Sequence, residues 1–193
     1  MDLFDHKAKD LLSNTAPLAA KMRPAHLEEI VGQEKVIGEG TPLRNTIQNN
    51  NIPSFILWGR PGTGKTSLAN LIAGQSGYAF NPISAVTSGV SDLRKIVSDA
   101  KNLLGMTGQK TILFIDEIHR FNKAQQDVIL PHVEDGSVVL IGATTENPSF
   151  EVIAPLLSRC GIFKLEPLSE THIKRIAHRA LSDRKRGLGD RNM

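Results

Sequence analysis

Apolar positions in this chain fall into short unbroken runs, and between those runs they recur at helical spacing. This is the pattern of strands buried on both faces alternating with amphipathic helices. The clearest run is Phe55-Ile56-Leu57-Trp58, followed by Gly59-Arg60-Pro61-Gly62-Thr63-Gly64-Lys65-Thr66 and then Ser67-Leu68-Ala69-Asn70-Leu71-Ile72-Ala73. It predicts a strand, a glycine-rich turn and a helix. Residues 78–84 read as a second strand, near an edge because Pro82 has no N–H to give a ladder. Leu93, Ile96, Val97, Ala100 and Leu104 predict a helix capped by Ser91 or Asp92 and stopped at Gly105. Thr111-Ile112-Leu113-Phe114-Ile115 shows no alternation and predicts a third strand, buried on both faces and ending in Asp116-Glu117. Asn122 with Gln125 predicts a capped helix that Pro131 should bend or end. Residues 138–143 and 162–165 predict the fourth and fifth strands. Ser169 caps a last helix carrying Ile173, Ile176, Ala177, Ala180 and Leu181 on one face, closed by Gly187 and Gly189.

The start of the chain is less regular. Residues 1–22 mix charge with short apolar steps, as an arm or a loose helix, punctuated by Pro17 and Pro24. The piece from Arg23 to Glu34 either lies beside a bound base or is a plain helix and turn. Leu43 and Ile47 suggest a helix ending in the Asn49-Asn50-Asn51 loop. Together these elements predict an α/β fold, a three-layer sandwich around a five-stranded, mostly parallel sheet, with any ligand at the carboxyl ends of the strands.

Composition narrows the class. A chain of 193 residues with 40% hydrophobic and 22% charged residues can bury one substantial core. Its formal charge of +3 is unevenly placed. Residues 170–193 hold seven Lys or Arg against Glu170, Asp183 and Asp190, a net of +4, which leaves the rest at −1. The basic stretch therefore reads as a solvated helix face, and the charge alone does not indicate nucleic acid. A lone Cys160 excludes an intramolecular disulfide framework and fits a reducing cytoplasm; no Cys/His cluster has zinc-ligand spacing. With neither a leader-like N-terminus nor a long apolar window, the sequence reads as intracellular and unanchored.

The glycine-rich turn carries the sharpest chemistry. G-x-x-x-x-G-K-T between a strand and a helix is a phosphate-binding loop. The glycines let backbone N–H groups curl inward, while Lys65 and the helix start at Ser67 add positive potential. Lys65 would reach the β and γ phosphates of a triphosphate, and the Thr66 hydroxyl would hold Mg²⁺. In a parallel sheet the ends of the first, third and fourth strands converge on one rim. Asp116 is suited to hold the Mg²⁺ shell through water and Glu117 to polarise an attacking water. Thr145, with Thr144 as the alternative, could contact the γ phosphate or that water. In Leu156-Leu157-Ser158-Arg159-Cys160, Arg159 could either project toward a neighbouring subunit's nucleotide or pair with a nearby surface carboxylate.

These residues resemble an AAA+ ATPase module. The phosphate loop, the strand ending in Asp116-Glu117, the Ala143-Thr144-Thr145 run and Ser158-Arg159-Cys160 are similar to those of clamp loaders. The resemblance is closer to the replication-associated recombination protein A family, also called maintenance of genome stability protein A, whose eukaryotic members interact with the Werner helicase. It rests on Pro17-Leu18-Ala19-Ala20, Ile83-Ser84-Ala85-Val86-Thr87-Ser88-Gly89-Val90, Asp116-Glu117-Ile118-His119-Arg120-Phe121-Asn122-Lys123 and Gly142-Ala143-Thr144-Thr145-Glu146-Asn147-Pro148-Ser149-Phe150. That resemblance implies a homo-oligomeric, DNA-stimulated ATPase at stalled or gapped forks, with ATP and Mg²⁺ as cofactors. Its implied partners are single-stranded or forked DNA and single-stranded-DNA-binding protein, not a membrane. It implies a cytoplasmic protein, nucleoid-associated in a bacterium or nuclear in a eukaryote.

By motif match the nucleotide is held by Gly59, Arg60, Pro61, Gly62, Thr63, Gly64, Lys65, Thr66 and Ser67, with Asp116 and Thr66 at the metal. Glu117 and Lys65 serve catalysis, Thr145 is the first sensor and Arg159 a finger acting in trans. Ile30 and Val31 would pack near the adenine, and Ser84 would correspond to a polar group that switches the glutamate. Arg60 stands where the family usually has a second proline, a tolerable change where only backbone is used. The implied organisation is an arm at 1–22, a nucleotide-binding core at 23–168 and the first helix of a truncated lid at 169–193, the chain being a fragment or naturally short. Two further readings stay open: an interaction module that holds nucleotide without turnover, and, from Asp116-Glu117-Ile118-His119, a DExH helicase.

Overall fold

The computed structural model describes residues 16–86 and 88–190. Residues 1–15 of the expected arm, and Thr87 within the Ile83 to Val90 run, lie outside the described residues. In chain order the helices are α1 (Leu18–Lys21), α2 (Glu34–Ile37), α3 (Pro42–Gln48), α4 (Lys65–Ser76), α5 (Val90–Thr107), α6 (Lys123–Glu134), α7 (Pro148–Glu151), α8 (Ala154–Leu157) and α9 (Glu170–Ser182). The strands are β1 (Phe55–Trp58), β2 (Ala79–Ser84), β3 (Thr111–Asp116), β4 (Val138–Thr144) and β5 (Gly161–Lys164). The chain divides into two compact units, residues 32–167 and residues 1–31 with 168–193.

The larger unit is built on a five-stranded sheet in the order β2-β3-β4-β1-β5 with flanking helices. Every neighbouring pair is parallel, so the expected mostly parallel sheet is wholly so. The apolar runs explain the order. β3 and β4 are buried almost throughout and sit inside, whereas β2, which contains Pro82, is half-exposed at an edge. Ile56, Leu113, Ile115 and Leu140 pack with Leu93, Val97 and Ala100 of α5 and Ile129 of α6. Alternate residues of the same strands, Phe55, Leu57 and Ile112, are just as buried, as a sheet covered on both faces requires. In register Trp58 lies opposite Thr144, Ile115 opposite Gly142 and Ser84 opposite Asp116, which brings the strand ends level.

Two local expectations need correction, and a third is narrowed. Helix α5 starts at Val90, not after a Ser91 or Asp92 cap: Gly89 is the cap and its N–H donates to Asp92 Oδ2 at 2.9 Å. It passes through Gly105 and stops where Gly108 adopts φ 71°, because a helix ends where the left-handed conformation is taken up and not wherever a glycine occurs. Pro131 does not end α6, which continues to Glu134. A proline there deletes one helical hydrogen bond, and the capping box of Asn122 and Gln125 together with buried Gln125, Gln126 and Ile129 keeps the helix intact.

In the smaller unit α9 buries no residue fully, and its apolar stripe stays exposed at Ile173 and Leu181. Charge holds this unit instead. Glu29 accepts from the Ala25 N–H at 3.0 Å, from Arg186 at 2.8 and 3.2 Å, and meets Arg179 at 3.3 Å. Arg179 also donates to the carbonyls of Met22 and Glu29 at 2.9 and 3.1 Å. Burial pushes the Glu29 carboxyl up, but the Arg186 and Ala25 hydrogen bonds and the two arginine charges outweigh it and hold the group below the usual glutamate range.

Candidate functional site

The end of β1 becomes a cradle because three glycines permit it. A Cβ on Gly59 would sit 2.7 Å from the Leu165 carbonyl oxygen, so only glycine lets the loop leave the sheet there. Gly62 and Gly64 take φ 78° and 97°, and Gly64 is the left-handed cap from which α4 begins at Lys65. Thr63 closes the turn by donating from Oγ1 to the Arg60 carbonyl at 2.9 Å. A cavity of about 370 Å³ opens at this point, lined by Pro61, Gly62, Gly64, Lys65, Thr66, Ser67, Asp116 and Glu117. The sequence placed these residues on two separate strand ends. The fold brings them together.

Lys65 is buried, and its Nζ donates to the Gly59 and Arg60 carbonyls at 2.7 and 3.1 Å. Burial pulls its ammonium below the usual lysine value, against the charges of Glu117 and Asp116. Thr66 Oγ1 stands 3.5 Å from Asp116 Oδ2, too long for a strong hydrogen bond. A hydroxyl and a carboxylate side by side are hard oxygen donors. Among the described residues no cluster of three or more His, Cys, Asp or Glu could cage a cation. One hydroxyl and one carboxylate fit Mg²⁺, which keeps most of its waters and shares the rest of its shell with substrate phosphates.

Glu117 follows β3 with φ 56°, ψ 49°, a left-handed conformation unusual for a residue with a side chain. Its Oε2 lies 3.4 Å from Thr145 Oγ1 and 3.2 Å from His119 Nδ1. Thr144 turns elsewhere: it is fully buried, its oxygen accepting from the Glu146 N–H at 3.0 Å and lying 3.0 Å from His119 Nδ1. Of the two threonines, Thr145 is therefore the one beside the carboxylate. Ser84 pairs in register with Asp116, and its hydroxyl accepts from the Val86 N–H at 3.3 Å.

Three further expected site residues do not line the cavity at the cradle. Arg159 is not among the residues lining it; Nη2 pairs with Glu134 Oε1 at 2.7 Å, and Nη1 donates to the Pro155 carbonyl and to Ser158 Oγ at 2.8 and 2.9 Å. Ile30 and Val31 belong to the smaller unit, where Val31 lines a separate cavity of about 390 Å³ with Ile176 and Arg179. Burial pushes the neighbouring Cys160 thiol up to about 12, so it is no nucleophile.

Sequence reasoning missed two residues. Gln33, 3% exposed, donates from Nε2 to the Thr63 and Glu166 carbonyls at 3.1 and 2.9 Å and accepts from the Glu166 N–H at 3.0 Å. It ties the cradle to the chain leaving β5, and a partner 133 residues away leaves no local signal. His119 stood in the helicase-like run and in the family-like run from Asp116 to Lys123, but no role was assigned to it.

Comparison with known proteins agrees with this fold. Residues 55–168 match the family model described as ATPase family associated with various cellular activities (AAA). The chain belongs to the AAA ATPase family. It is 52% identical over 186 residues to replication-associated recombination protein A of Haemophilus influenzae, covering 96% of this chain and 41% of that protein. It is 50% identical over 166 residues to ATPase WRNIP1 of Dictyostelium discoideum, covering 86% of this chain and 19% of that one. The chain thus spans well under half the length of these relatives. Among solved structures, Thermotoga maritima RuvB, described as a Holliday junction branch migration motor, superposes with TM-score 0.70 at 32% identity, over 84% of this chain and 54% of that chain. Among the described residues no helix is long and apolar enough to cross a membrane.

Proposed function

We propose that this chain is the ATP-hydrolysing core of a protein that remodels DNA or DNA-bound assemblies during replication and recombination, in the cytoplasm or nucleus. The observation that carries the reading is the meeting of Lys65, Thr66, Asp116 and Glu117 around one cavity at the tip of β1 and β3. The names of relatives at about half identity support the setting.

Each side chain has a task that follows from its position. Lys65 now satisfies two loop carbonyls and would exchange them for the β and γ phosphate oxygens of ATP. Backbone N–H groups at the start of α4 would face the same phosphates. Thr66 and Asp116 would hold Mg²⁺, which when bound neutralises charge on the phosphates. Glu117 would take a proton from water as the water oxygen bonds to the γ-phosphorus and the bond from that phosphorus to the bridging oxygen breaks, releasing ADP and phosphate. Thr145 would steady that carboxylate.

Arg159 would act on a neighbouring subunit's nucleotide in a homo-oligomer, giving up Glu134 to do so. Forked, gapped or single-stranded DNA and single-stranded-DNA-binding protein are the partners this reading expects. The test is Mg²⁺-dependent phosphate release by the chain with single-stranded DNA, lost in Lys65→Ala and restored when Arg159→Ala and Glu117→Gln chains are mixed. Activity that survives Lys65→Ala overturns the reading. The Arg159 contact with Glu134 favours one second reading, a nucleotide-holding interaction module, since a chain whose arginine is paired at home lacks that group for chemistry. Tight binding of a fluorescent ATP analogue without phosphate release at high chain concentration would select it.

A further inference from the structure

We propose that His119 is a positioning residue: as the neutral tautomer with the proton on Nδ1, it fixes the Glu117 carboxylate against the end of β4. The proposal deepens the hydrolytic reading and rests on it for its kinetic readout.

The turn after β3 is built to aim this ring. Gly142 of β4 leaves room for Ile118, since a Cβ there would lie 3.2 Å from Ile118 Cδ1 and 3.3 Å from Ile56 Cγ1. Ile118 is fully buried in that space and anchors the turn. The Arg120 and Phe121 N–H groups donate to the Glu117 and Ile118 carbonyls at 2.9 and 3.0 Å. His119 then projects to Thr144, the last residue of β4, with 16% of its side chain exposed against 35% for Glu117.

The contacts choose the tautomer. Nδ1 faces two oxygens, Thr144 Oγ1 at 3.0 Å and Glu117 Oε2 at 3.2 Å. A bare Nδ1 would set its lone pair against the carboxylate, with no proton between them. A proton on Nδ1 is shared by both oxygens, and the Thr144 hydroxyl then donates to the Glu146 carbonyl at 3.2 Å while accepting the Glu146 N–H. The oxygens facing Nδ1 and the Thr144 hydroxyl are all satisfied in that arrangement. No ionisation of the ring is needed. Oε2 lies 3.2 Å from His119 Nδ1 and 3.4 Å from Thr145 Oγ1, which leaves Oε1 to act on water. The charged groups nearest in sequence, Asp116 and Arg120, are respectively turned to Thr66 and exposed.

The test combines ring nitrogen NMR with kinetics on the same chain. Nitrogen shifts of the imidazole should report Nδ1–H in the wild type; a ring carrying its proton on Nε2, the usual form in water, overturns the proposal. His119→Ala should lower kcat about 10- to 100-fold while affinity for a fluorescent ATP analogue stays within about threefold, as for a misplaced catalytic group. His119→Asn, whose amide can donate from near the Nδ1 position, should recover most of the loss, and His119→Gln, whose amide sits one bond further out, should not. Unchanged kcat in His119→Ala, or equal losses in the Asn and Gln variants, overturns the assignment. If the wild type shows no Lys65-dependent hydrolysis, the hydrolytic reading fails by itself. The positioning claim is then decided by the tautomer and by whether the Glu117 carboxyl carbon shift moves in His119→Asn less than in His119→Ala.

Discussion

Two regions of this molecule pin backbone with side chains, and they do it by opposite means. At the phosphate loop the pin is Gln33, a neutral amide that is almost fully buried and makes three hydrogen bonds to main chain. In the smaller unit the pin is Glu29 with Arg179 and Arg186, charged and with a fifth to a third of each side chain exposed. A buried amide works at any pH and salt concentration, because nothing in it titrates and no counterion reaches it. An exposed charge cluster weakens with both. The difference teaches that the cradle is insulated from solution conditions while the segment from Met22 to Glu29 and α9 is responsive to them.

The sharpest way to break that contrast is at the cradle. Lys65→Ala should abolish detectable nucleotide binding, a loss of at least about 100-fold by titration of a fluorescent ATP analogue; retained affinity would show that the loop does not grip phosphate. Gln33→Ala should cost about 2–3 kcal/mol in urea unfolding, because it strands buried carbonyls and an N–H together. The same substitution should weaken nucleotide affinity, and a loss confined to stability would make Gln33 a strut for the sheet alone.

Glu29→Gln should cost about 1–2 kcal/mol near neutral pH, with a salt dependence that Gln33→Ala lacks. The fold holds the Glu29 carboxyl below its ordinary 4.5. Its contribution is therefore complete above that value and is lost as pH falls through the lowered one. The gap between wild type and Glu29→Gln in melting temperature should stay constant from pH 7 to about 5 and close below that; a gap that widened in acid would contradict the assignment. The smallest effect belongs to the exposed Arg159 and Glu134 pair. Glu134→Gln should change stability by less than about 1 kcal/mol, measured by thermal melting, since surface ion pairs contribute little.

The insulated region was also the more legible one. Unbroken apolar runs at 55–58 and 111–115 marked central strands because a strand covered on both faces has no polar side to interrupt it. The glycine-lysine-threonine pattern marked the cradle because each residue type there answers a backbone or charge requirement. What stayed hidden depended on partners distant in sequence or on competition between local signals. Nothing near Gln33 announces Glu166, and Gly105 looked as good a helix stop as Gly108 until the chain showed which one takes positive φ. The charge cluster at Glu29 was equally unreadable. Its arginines were counted as a solvated face, and only the fold pairs two of them with a carboxylate some 150 residues earlier.

The left-handed backbone at Glu117 has an evolutionary consequence. A side chain in that conformation costs on the order of 1 kcal/mol that asparagine largely avoids. Laboratory selection for heat resistance alone would then drift toward Glu117→Asn, yielding sturdier chains that have lost their proposed proton acceptor. Selection for turnover would keep the less comfortable residue, and a library sorted first for robustness and then for turnover should reveal the two demands pulling one codon in opposite directions.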